Sequence, residues 1–276
     1  KIFELRSFVS FNLAMTLISS GGFLPVNSLE SIINTNTKEI IFGFLMLVSF
    51  FSIFLSYNLF YFKNKNINFF KEDIILAIYF ILLLALFFLF LNIDFNFSSL
   101  FLSLTSSISN IGFSLKNSSQ DFSIIFLILT IVGGSFLSTS SGLRLLKLYA
   151  LFKFSINNLI LNFKPKNVSV YKNFFLDISF EKNEINKYFL TLLIFIFSLL
   201  ILCFLLTLSQ IPFDVSFKLS ILTLMNTVNS SMHGLDDFSF QNLHFFTKYC
   251  LIIFMIIGRV ELLTLLIILK KFLFKN

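Results

Sequence analysis

Long apolar runs and short polar-rich segments alternate along this chain of 276 residues. A helix that crosses the hydrocarbon core of a bilayer needs about 20 mostly apolar residues. Five runs meet that requirement, at 38–62, 72–92, 122–152, 187–209 and 244–272. Three stretches rich in Ser, Thr and Asn are moderately apolar but too short to span, at 7–19, 98–108 and 215–228. The pattern therefore predicts about five transmembrane helices and three re-entrant half-helices.

The order of these elements repeats along the chain. Each repeat consists of a helix, a half-helix and a second helix, and the opening helix of the first repeat is missing. Internal repetition of this kind is common in membrane transporters. We expect an all-α integral membrane protein divided into a second repeat at 1–70 (pore loop and second helix only), a third repeat at 71–160 with a broken helix, and a fourth repeat at 161–276.

Composition supports this interpretation. Hydrophobic residues make up 57% of the chain and charged residues 13%, and the mean hydropathy is +0.90, values that exclude an ordinary soluble protein. The net charge of +7 does not indicate nucleic-acid binding, because the basic residues lie at the ends of the apolar runs. Cys203 and Cys250 lie inside apolar runs and have no partners in the sequence for a disulfide or a metal site.

The distribution of charge predicts the orientation in the membrane. Cytoplasmic loops carry an excess of Lys and Arg. Alternate connections are basic, with Lys63, Lys65, Lys71, Arg144, Lys147, Lys153, Lys164, Lys166, Lys172, Lys270, Lys271 and Lys275. The other connections hold Asp94, Asp121, Asp214, Asp236 and Asp237. The basic connections are therefore expected to be cytoplasmic, and all three short segments fall on the outer side.

Each short segment ends in a cluster of small residues: LISSGGFL at 17–24, SISNIGFS at 107–114 and TVNSSMHGL at 227–235. Non-helical backbone at membrane depth is tolerated where protein buries it or where it lines a water-filled cavity. A ring of backbone carbonyls can replace the hydration shell of an alkali cation, and the negative ends of half-helices favour a cation at the same place. The alternative is a Ser/Gly turn that only joins two helices.

These clusters, in this order, resemble the potassium transporters of the Trk, Ktr and HKT superfamily. The first cluster, together with Val48-Ser49, is similar to the second repeat of the TrkH branch. The second cluster and the stretch GGSFLSTSSGLR at 133–144 resemble its third repeat, and GRVELLT at 258–264 resembles the end of the fourth. The resemblance covers nearly the whole chain and implies helix, pore-loop and helix units around a pseudo-fourfold ion pathway.

The resemblance also implies roles for particular residues. The filter backbone would comprise Ser20, Gly21, Gly22, Asn110, Ile111, Gly112, Ser230, Ser231 and Met232. A gating loop below the filter would comprise Gly133, Gly134, Ser138, Thr139, Ser140 and Gly142. Glycines and hydroxyls in series weaken a membrane helix there, although small residues also serve close helix packing. The only metal expected is the potassium ion itself.

Two further residues attract attention. Arg259 lies within an apolar run, where a charge is expensive. The resemblance implies that it faces the ion pathway and either imposes an electrostatic barrier or holds the gating loop. The alternative is a structural pair with a buried carboxylate other than Glu261. His233 lies close to Asp236 and Asp237, but the sequence offers too few ligands for a metal site. These acids are expected to lie in the outer vestibule and to attract cations.

The chain also departs from the family pattern. It contains three filter segments where the family uses four, and its start at Lys1 rather than Met favours a piece of a longer protein. Met232 falls where the last filter segment is expected to have glycine, and His233 falls where a proline is usual. We expect these changes to affect discrimination between potassium and sodium more than transport itself.

The predicted function is potassium uptake across a bacterial inner membrane, driven by the membrane potential, and not catalysis. The alternatives are less selective monovalent cation transport, a degenerate non-conducting relative, and, more remotely, a polytopic membrane enzyme that processes glycans. The last is disfavoured because the outer loops are short. The family implies a homodimer with a cytoplasmic nucleotide-binding regulatory subunit, and no cofactor is expected in this chain.

Overall fold

The computed structural model describes residues 6–25, 29–33, 35–52, 67–90, 96–115, 122–163, 182–228, 231–235, 238 and 240–259. These residues form α-helices, short 3-10 turns and loops, and no strand occurs among them, so the prediction of an all-α protein is confirmed. The α-helices are α1 (Ser7–Ser19), α2 (Asn36–Phe50), α3 (Ile67–Phe90), α4 (Phe97–Ile108), α5 (Ser123–Val132), α6 (Leu145–Phe163), α7 (Lys182–Leu208), α8 (Phe213–Leu224) and α9 (Phe245–Arg259).

The three predicted half-helices are α1, α4 and α8. They contain 13, 12 and 12 residues, which corresponds to a length of about 18–20 Å and is too short to span a bilayer. The first two agree closely with the predicted bounds. The third differs, because α8 begins at Phe213 and ends at Leu224, four residues before the predicted end at 228.

Two helices in the described part of the chain are long and apolar enough to cross a membrane. They contain the segments Glu72–Leu89 and Asn183–Leu208, within α3 and α7. The predicted span at 38–62 is helical over α2 but the helix ends at Phe50, because the backbone of Phe51 is extended, and Ser52 is also non-helical. The predicted span at 244–272 is helical over α9, and residues 53–62 and 260–272 lie outside the described ones. Many apolar side chains of α3 and α7 are exposed, as a lipid environment requires, for example Leu89 at 78% and Phe204 at 62%.

The predicted span at 122–152 is interrupted. Helix α5 ends at Val132, the loop of residues 133–144 follows, and α6 begins at Leu145. We refer to residues 133–144 as the central loop. Gly133 and Gly142 both have positive φ, at 67° and 106°, so the helix stops where glycine permits a conformation that other residues rarely adopt.

Helix packing surrounds the half-helices with protein. Helix α4 packs against α2 and α5, and α8 packs against α7 and α9. Ten of the twelve residues of α4 are buried, including four of its five serines and its threonine. Most of these hydroxyls bond to carbonyls three or four residues back, as Thr105 Oγ1 does to the carbonyl oxygen of Phe101 at 3.0 Å. A polar half-helix is thereby accommodated inside an apolar bundle.

Candidate functional site

The C-terminal ends of the three half-helices approach one another closely. A Cβ atom added to Gly22 would overlap the carbonyl oxygen of Ile111 and would lie 2.5 Å from Cγ2 of Val228. A Cβ atom added to Gly112 would overlap the backbone of Val228, with the nitrogen at 2.8 Å. The segment after α1 therefore touches the segment after α4, and the segment after α4 touches the one after α8. Glycine is required at both contacts because backbone meets backbone.

The three half-helices end in the same way. Each is followed by a non-glycine residue in the left-handed conformation: Ser20 at φ 50°, Asn110 at φ 58° and Asn226 at φ 52°. Two positions after this residue come Gly22, Gly112 and Val228, respectively. The two glycines have positive φ, at 69° and 86°, whereas Val228 is not among the described residues with positive φ. Val228 therefore occupies the third position of this set with a different backbone conformation.

This correspondence does not support the predicted place of Met232 in the filter. Met232 lies in a 3-10 turn, Ser231–His233, four residues beyond Val228. Its side chain is fully buried in a cluster with Ile108 and Phe126, and Ser107 Oγ lies 3.6 Å from its sulfur. Of the other residues predicted for the last filter segment, Ser231 begins that turn and Ser230 lies outside the described residues.

The neighbouring His233 is also enclosed. Its side chain is fully buried, and this burial lowers its pKa from 6.5 to about 3. The imidazole is therefore neutral over the physiological range. No group of three His, Cys, Asp or Glu residues that could hold a metal ion occurs among the residues that the structure describes.

Electrostatics at the meeting point favour a cation. The C-terminal end of a helix carries a partial negative charge, and three such ends converge here. Asn110 is fully buried, and its side-chain oxygen Oδ1 accepts no hydrogen bond from the described part of the chain. Carbonyl and amide oxygens are suitable ligands for an alkali cation. Six of the predicted filter residues lie in the segments that follow α1 and α4: Ser20, Gly21, Gly22, Asn110, Ile111 and Gly112.

The central loop lies directly against the ends of the half-helices. Ser20 Oγ donates a hydrogen bond of 2.9 Å to the carbonyl oxygen of Thr139. The side-chain amide of Asn110 donates one of 3.0 Å to Ser141 Oγ, which in turn donates to the carbonyl oxygen of Met225. The loop thus has a contact with each of the three segments.

Further bonds attach the central loop to α2. The backbone nitrogen of Ser135 donates to the carbonyl oxygen of Phe50 at 3.0 Å, and that of Ser140 donates to the carbonyl oxygen of Ser49 at 3.2 Å. The two ends of the loop meet because Gly133 and Gly142 are in backbone contact, where a Cβ on Gly142 would lie 2.7 Å from Cα of Gly133. The loop is therefore compact rather than an extended connection.

Arg259 reaches the first half-helix from the end of α9. Its Nη2 atom donates a hydrogen bond of 3.1 Å to the carbonyl oxygen of Ser19, and Nη1 lies 3.5 Å from Ser20 Oγ. Glu261, which follows two positions after Arg259 in the sequence, lies outside the described residues. These contacts place the charge of Arg259 at the end of the first segment. Its described partners are a hydroxyl and a carbonyl oxygen rather than a carboxylate. The guanidinium occupies the negative end of α1.

Three residues of this site were missed in the sequence. Val228 stands at the position where the other two segments have glycine, and Ser141 is one of several residues with a hydroxyl group in the central loop. Glu72, whose carboxylate accepts a hydrogen bond from the loop, lies at the start of an apolar span. No signal in the sequence marks Val228, because the half-helix before it was predicted to continue to 228, and nothing in the sequence singles out Ser141.

This chain is similar to known proteins both in sequence and in structure. A family model described as TrkH, cation transport protein, matches residues 96–274. The crystal structure of the potassium transporter TrkH from Vibrio parahaemolyticus superimposes with a TM-score of 0.80 at 17% sequence identity. That match covers 97% of this chain and 59% of the Vibrio chain, so the chain spans less than two thirds of the solved protein. Among curated proteins no sequence matches.

Proposed function

Because this chain belongs to the TrkH family of cation transport proteins, we propose that it takes up potassium ions across the cytoplasmic membrane of a bacterium. The ion passes through a filter lined by backbone carbonyls, and the membrane potential drives it inward. The residues that form the filter in this proposal are those of the segments 20–22, 110–112 and 226–228. The last of these replaces the sequence-based choice of Ser230, Ser231 and Met232.

One observation carries the proposal. Gly22 and Gly112 lie where a side chain would collide with the backbone of the next segment. Such close backbone approach brings carbonyl oxygens from different repeats near a common point, as coordination of a dehydrated cation requires. A turn that only joined two helices would have no need to meet the turns of other repeats.

The central loop is proposed to obstruct the pathway below the filter. This proposal is supported by the contacts of Thr139 with Ser20 and of Ser141 with Asn110. A plug in this position has to move before an ion can pass. The residues first predicted for this role, Gly133, Gly134, Ser138, Thr139, Ser140 and Gly142, all lie in it.

A less selective monovalent cation transporter is the second candidate. The observation that favours it is Val228, which stands where the other segments have glycine and does not share their positive φ. A ring with one altered member coordinates a small alkali cation less uniformly, so that sodium competes better with potassium.

The remaining expectations from sequence are retained as proposals. They are a homodimer, a cytoplasmic nucleotide-binding regulatory subunit, and no cofactor bound by this chain. The basic connection that follows the central loop is the proposed contact for that subunit, since a basic cytoplasmic surface suits an acidic partner. The following experiment separates transport from the non-conducting relative and from the glycan-processing enzyme, neither of which would support growth at low potassium.

The experiment is growth of potassium-uptake-deficient cells that express the native gene product. We expect growth at low potassium, and no growth when Gly112 is replaced by Asp, because a carboxylate side chain cannot fit against the backbone of Val228. Equal growth of both strains would contradict the filter assignment. Absence of growth with the unaltered protein, despite its presence in the membrane, would favour the non-conducting relative.

A further inference from the structure

Two acidic residues lie side by side near the start of α3, where the proposed function gives them no role. The side chains of Glu72 and Asp73 are 3% and 5% exposed, respectively. A buried carboxylate is costly unless hydrogen bonds or opposite charges compensate it. The neighbours of these two residues therefore indicate what they hold.

Each carboxylate binds the backbone of a different segment. Glu72 Oε1 accepts a hydrogen bond from the backbone N–H of Phe136 in the central loop. Asp73 Oδ1 accepts one of 3.2 Å from the backbone N–H of Ser52, just beyond the end of α2. Of these two residues, Glu72 bonds to the central loop, whereas Asp73 bonds to the segment that follows α2, the helix to which the loop is attached.

Phe136 belongs to a tight turn within the central loop, closed by a bond of 3.2 Å from the nitrogen of Ser138 to the carbonyl oxygen of Ser135. Arg144 holds the acceptor side of this turn, since its Nη1 atom donates to the carbonyl oxygens of Ser135 at 2.6 Å and Ser138 at 3.2 Å. The turn thus has the carboxyl group of Glu72 on the N–H of Phe136 and the guanidinium of Arg144 on two of its carbonyls. Arg144 also interacts electrostatically with Glu72.

The two clamps differ in what they connect. Arg144 ends the central loop itself, so it moves with the loop. Glu72 belongs to α3, 64 residues away in sequence from Phe136, and α3 is a membrane span. The bond from Glu72 to Phe136 therefore exists only while the turn occupies its present position. A loop that moves aside has to break this bond but can keep its bonds to Arg144.

We propose that Glu72 is a positioning residue that holds the central loop in its obstructing position through the backbone N–H of Phe136. The inference rests on the proposed function, in which the central loop blocks the ion pathway. Loss of the carboxylate favours the displaced position of the loop and raises the rate of transport. Hydrogen bonds to charged groups are strong enough for an effect of about tenfold on such an equilibrium.

Transport measurements on the native gene product test this role. Glu72→Ala is expected to raise the maximal rate of rubidium uptake by about tenfold, with no change in KM because the filter is untouched. Glu72→Gln keeps an acceptor oxygen and is expected to restore most of the original rate. Asp73→Asn is the matched control, since Asp73 is equally buried but does not bind the loop. An equal rise for Asp73→Asn, or an unchanged or lower maximal rate for well-folded Glu72→Ala, would overturn the proposal.

Labelling of a cysteine in the loop provides a readout that needs no transport. Leu137→Cys is introduced with Cys203 and Cys250 changed to Ser, and its reaction with a thiol reagent from the cytoplasmic side is timed. We expect Glu72→Ala to accelerate labelling by about tenfold, and equal rates would overturn the proposal. If Glu72→Ala does not yield a monodisperse protein, Glu72→Asp replaces it in both measurements, because a side chain one methylene shorter withdraws the carboxylate from Phe136. Faster labelling in a protein without uptake would support the role of Glu72 and reject the proposed function separately.

Discussion

The guanidinium of Arg259 donates a hydrogen bond of 3.1 Å to the carbonyl oxygen of Ser19, 240 residues earlier in the chain. This bond joins the last described helix to the first. It also places a permanent positive charge at the negative end of α1, beside the first filter segment. In the function that we propose, a cation that leaves the filter would pass close to this charge.

Removal of that charge is expected to change transport. Arg259→Gln lowers the electrostatic barrier beside the filter, and we expect an increase in the maximal rate of rubidium uptake of about threefold to tenfold. Arg259→Lys retains the charge and serves as the matched control, with a smaller effect. The measurement is uptake into proteoliposomes at a fixed membrane potential. A rate for Arg259→Gln at or below that of Arg259→Lys would contradict a barrier role.

A side chain at Gly112 is expected to abolish the filter. Gly112 has φ 86°, and an added Cβ would collide with the backbone of Val228, so Gly112→Ala combines strain with overlap. We expect the maximal uptake rate to fall by about tenfold or more. Gly21→Ala is the control, because its Cβ would meet only the Ser19 hydroxyl at 3.2 Å and the Phe23 ring at 3.7 Å. Similar losses in both variants would show that the backbone contact is not the cause.

Substitutions at Val228 and Met232 distinguish the two alignments of the last filter segment. Val228→Gly permits the backbone conformation of Gly22 and Gly112. We expect it to raise the preference for potassium over sodium several-fold, which corresponds to about 1 kcal/mol. Met232→Gly is expected to leave the preference unchanged. Loss of its buried side chain costs about 2–5 kcal/mol of stability instead. Competition of sodium with rubidium uptake measures the first effect and thermal unfolding in detergent measures the second.

Improved selectivity in Met232→Gly together with none in Val228→Gly would support the alignment made from the sequence. The two variants remove apolar side chains four positions apart in one segment, so general loosening of the loop would affect both. Only the position in the filter separates their expected effects on selectivity.

The buried His233 predicts how stability depends on pH. Its pKa is lowered to about 3 by burial, whereas the unfolded chain titrates near 6.5. Between these values the unfolded state binds a proton that the folded state does not, so the free energy of unfolding decreases as pH falls below 6.5, by up to about 1.4 kcal/mol per pH unit. Above 6.5 the residue contributes no pH dependence.

His233→Gln is expected to remove this part of the pH dependence, measured as the change in Tm in detergent between pH 7 and pH 5. His244→Gln alters an exposed histidine and should leave the slope of the unaltered protein in place. A slope that is the same in the unaltered protein and in His233→Gln would show that the imidazole is accessible to protons in the folded state.

The half-helices show how far the sequence alone could lead. Helices α1 and α4 were predicted within one residue of their observed ends because a cluster of small residues that contains glycine follows each helix closely. The end of helix α8 was predicted four residues too late, since its own turn at Asn226 and Val228 contains no glycine and Gly234 offered the nearest match. The alignment of the last filter segment made from the sequence differs from the one that we propose because of this one absent glycine.

The central loop was recognised from its composition but its partners were not. Glycines and hydroxyls in series predict an interrupted helix, because both weaken helical backbone. They do not specify that Ser141 bonds to Asn110 or that Phe136 bonds to Glu72, since those partners are brought together by packing of helices far apart in sequence. Long-range geometry of this kind is not encoded in any local pattern.

The attachments of the central loop also determine when it can form during synthesis. Its bonds reach Ser20, Phe50 and Glu72, which precede it, and Met225, which is translated more than eighty residues after Ser141. Until α8 has entered the bilayer, the hydroxyl of Ser141 lacks the carbonyl to which it finally donates. Polar groups without partners are costly at membrane depth. The newly synthesised loop is therefore expected to stay hydrated, or to be shielded by the insertion machinery, until α8 arrives. If synthesis stops before α8, the central loop cannot form its bond to Met225.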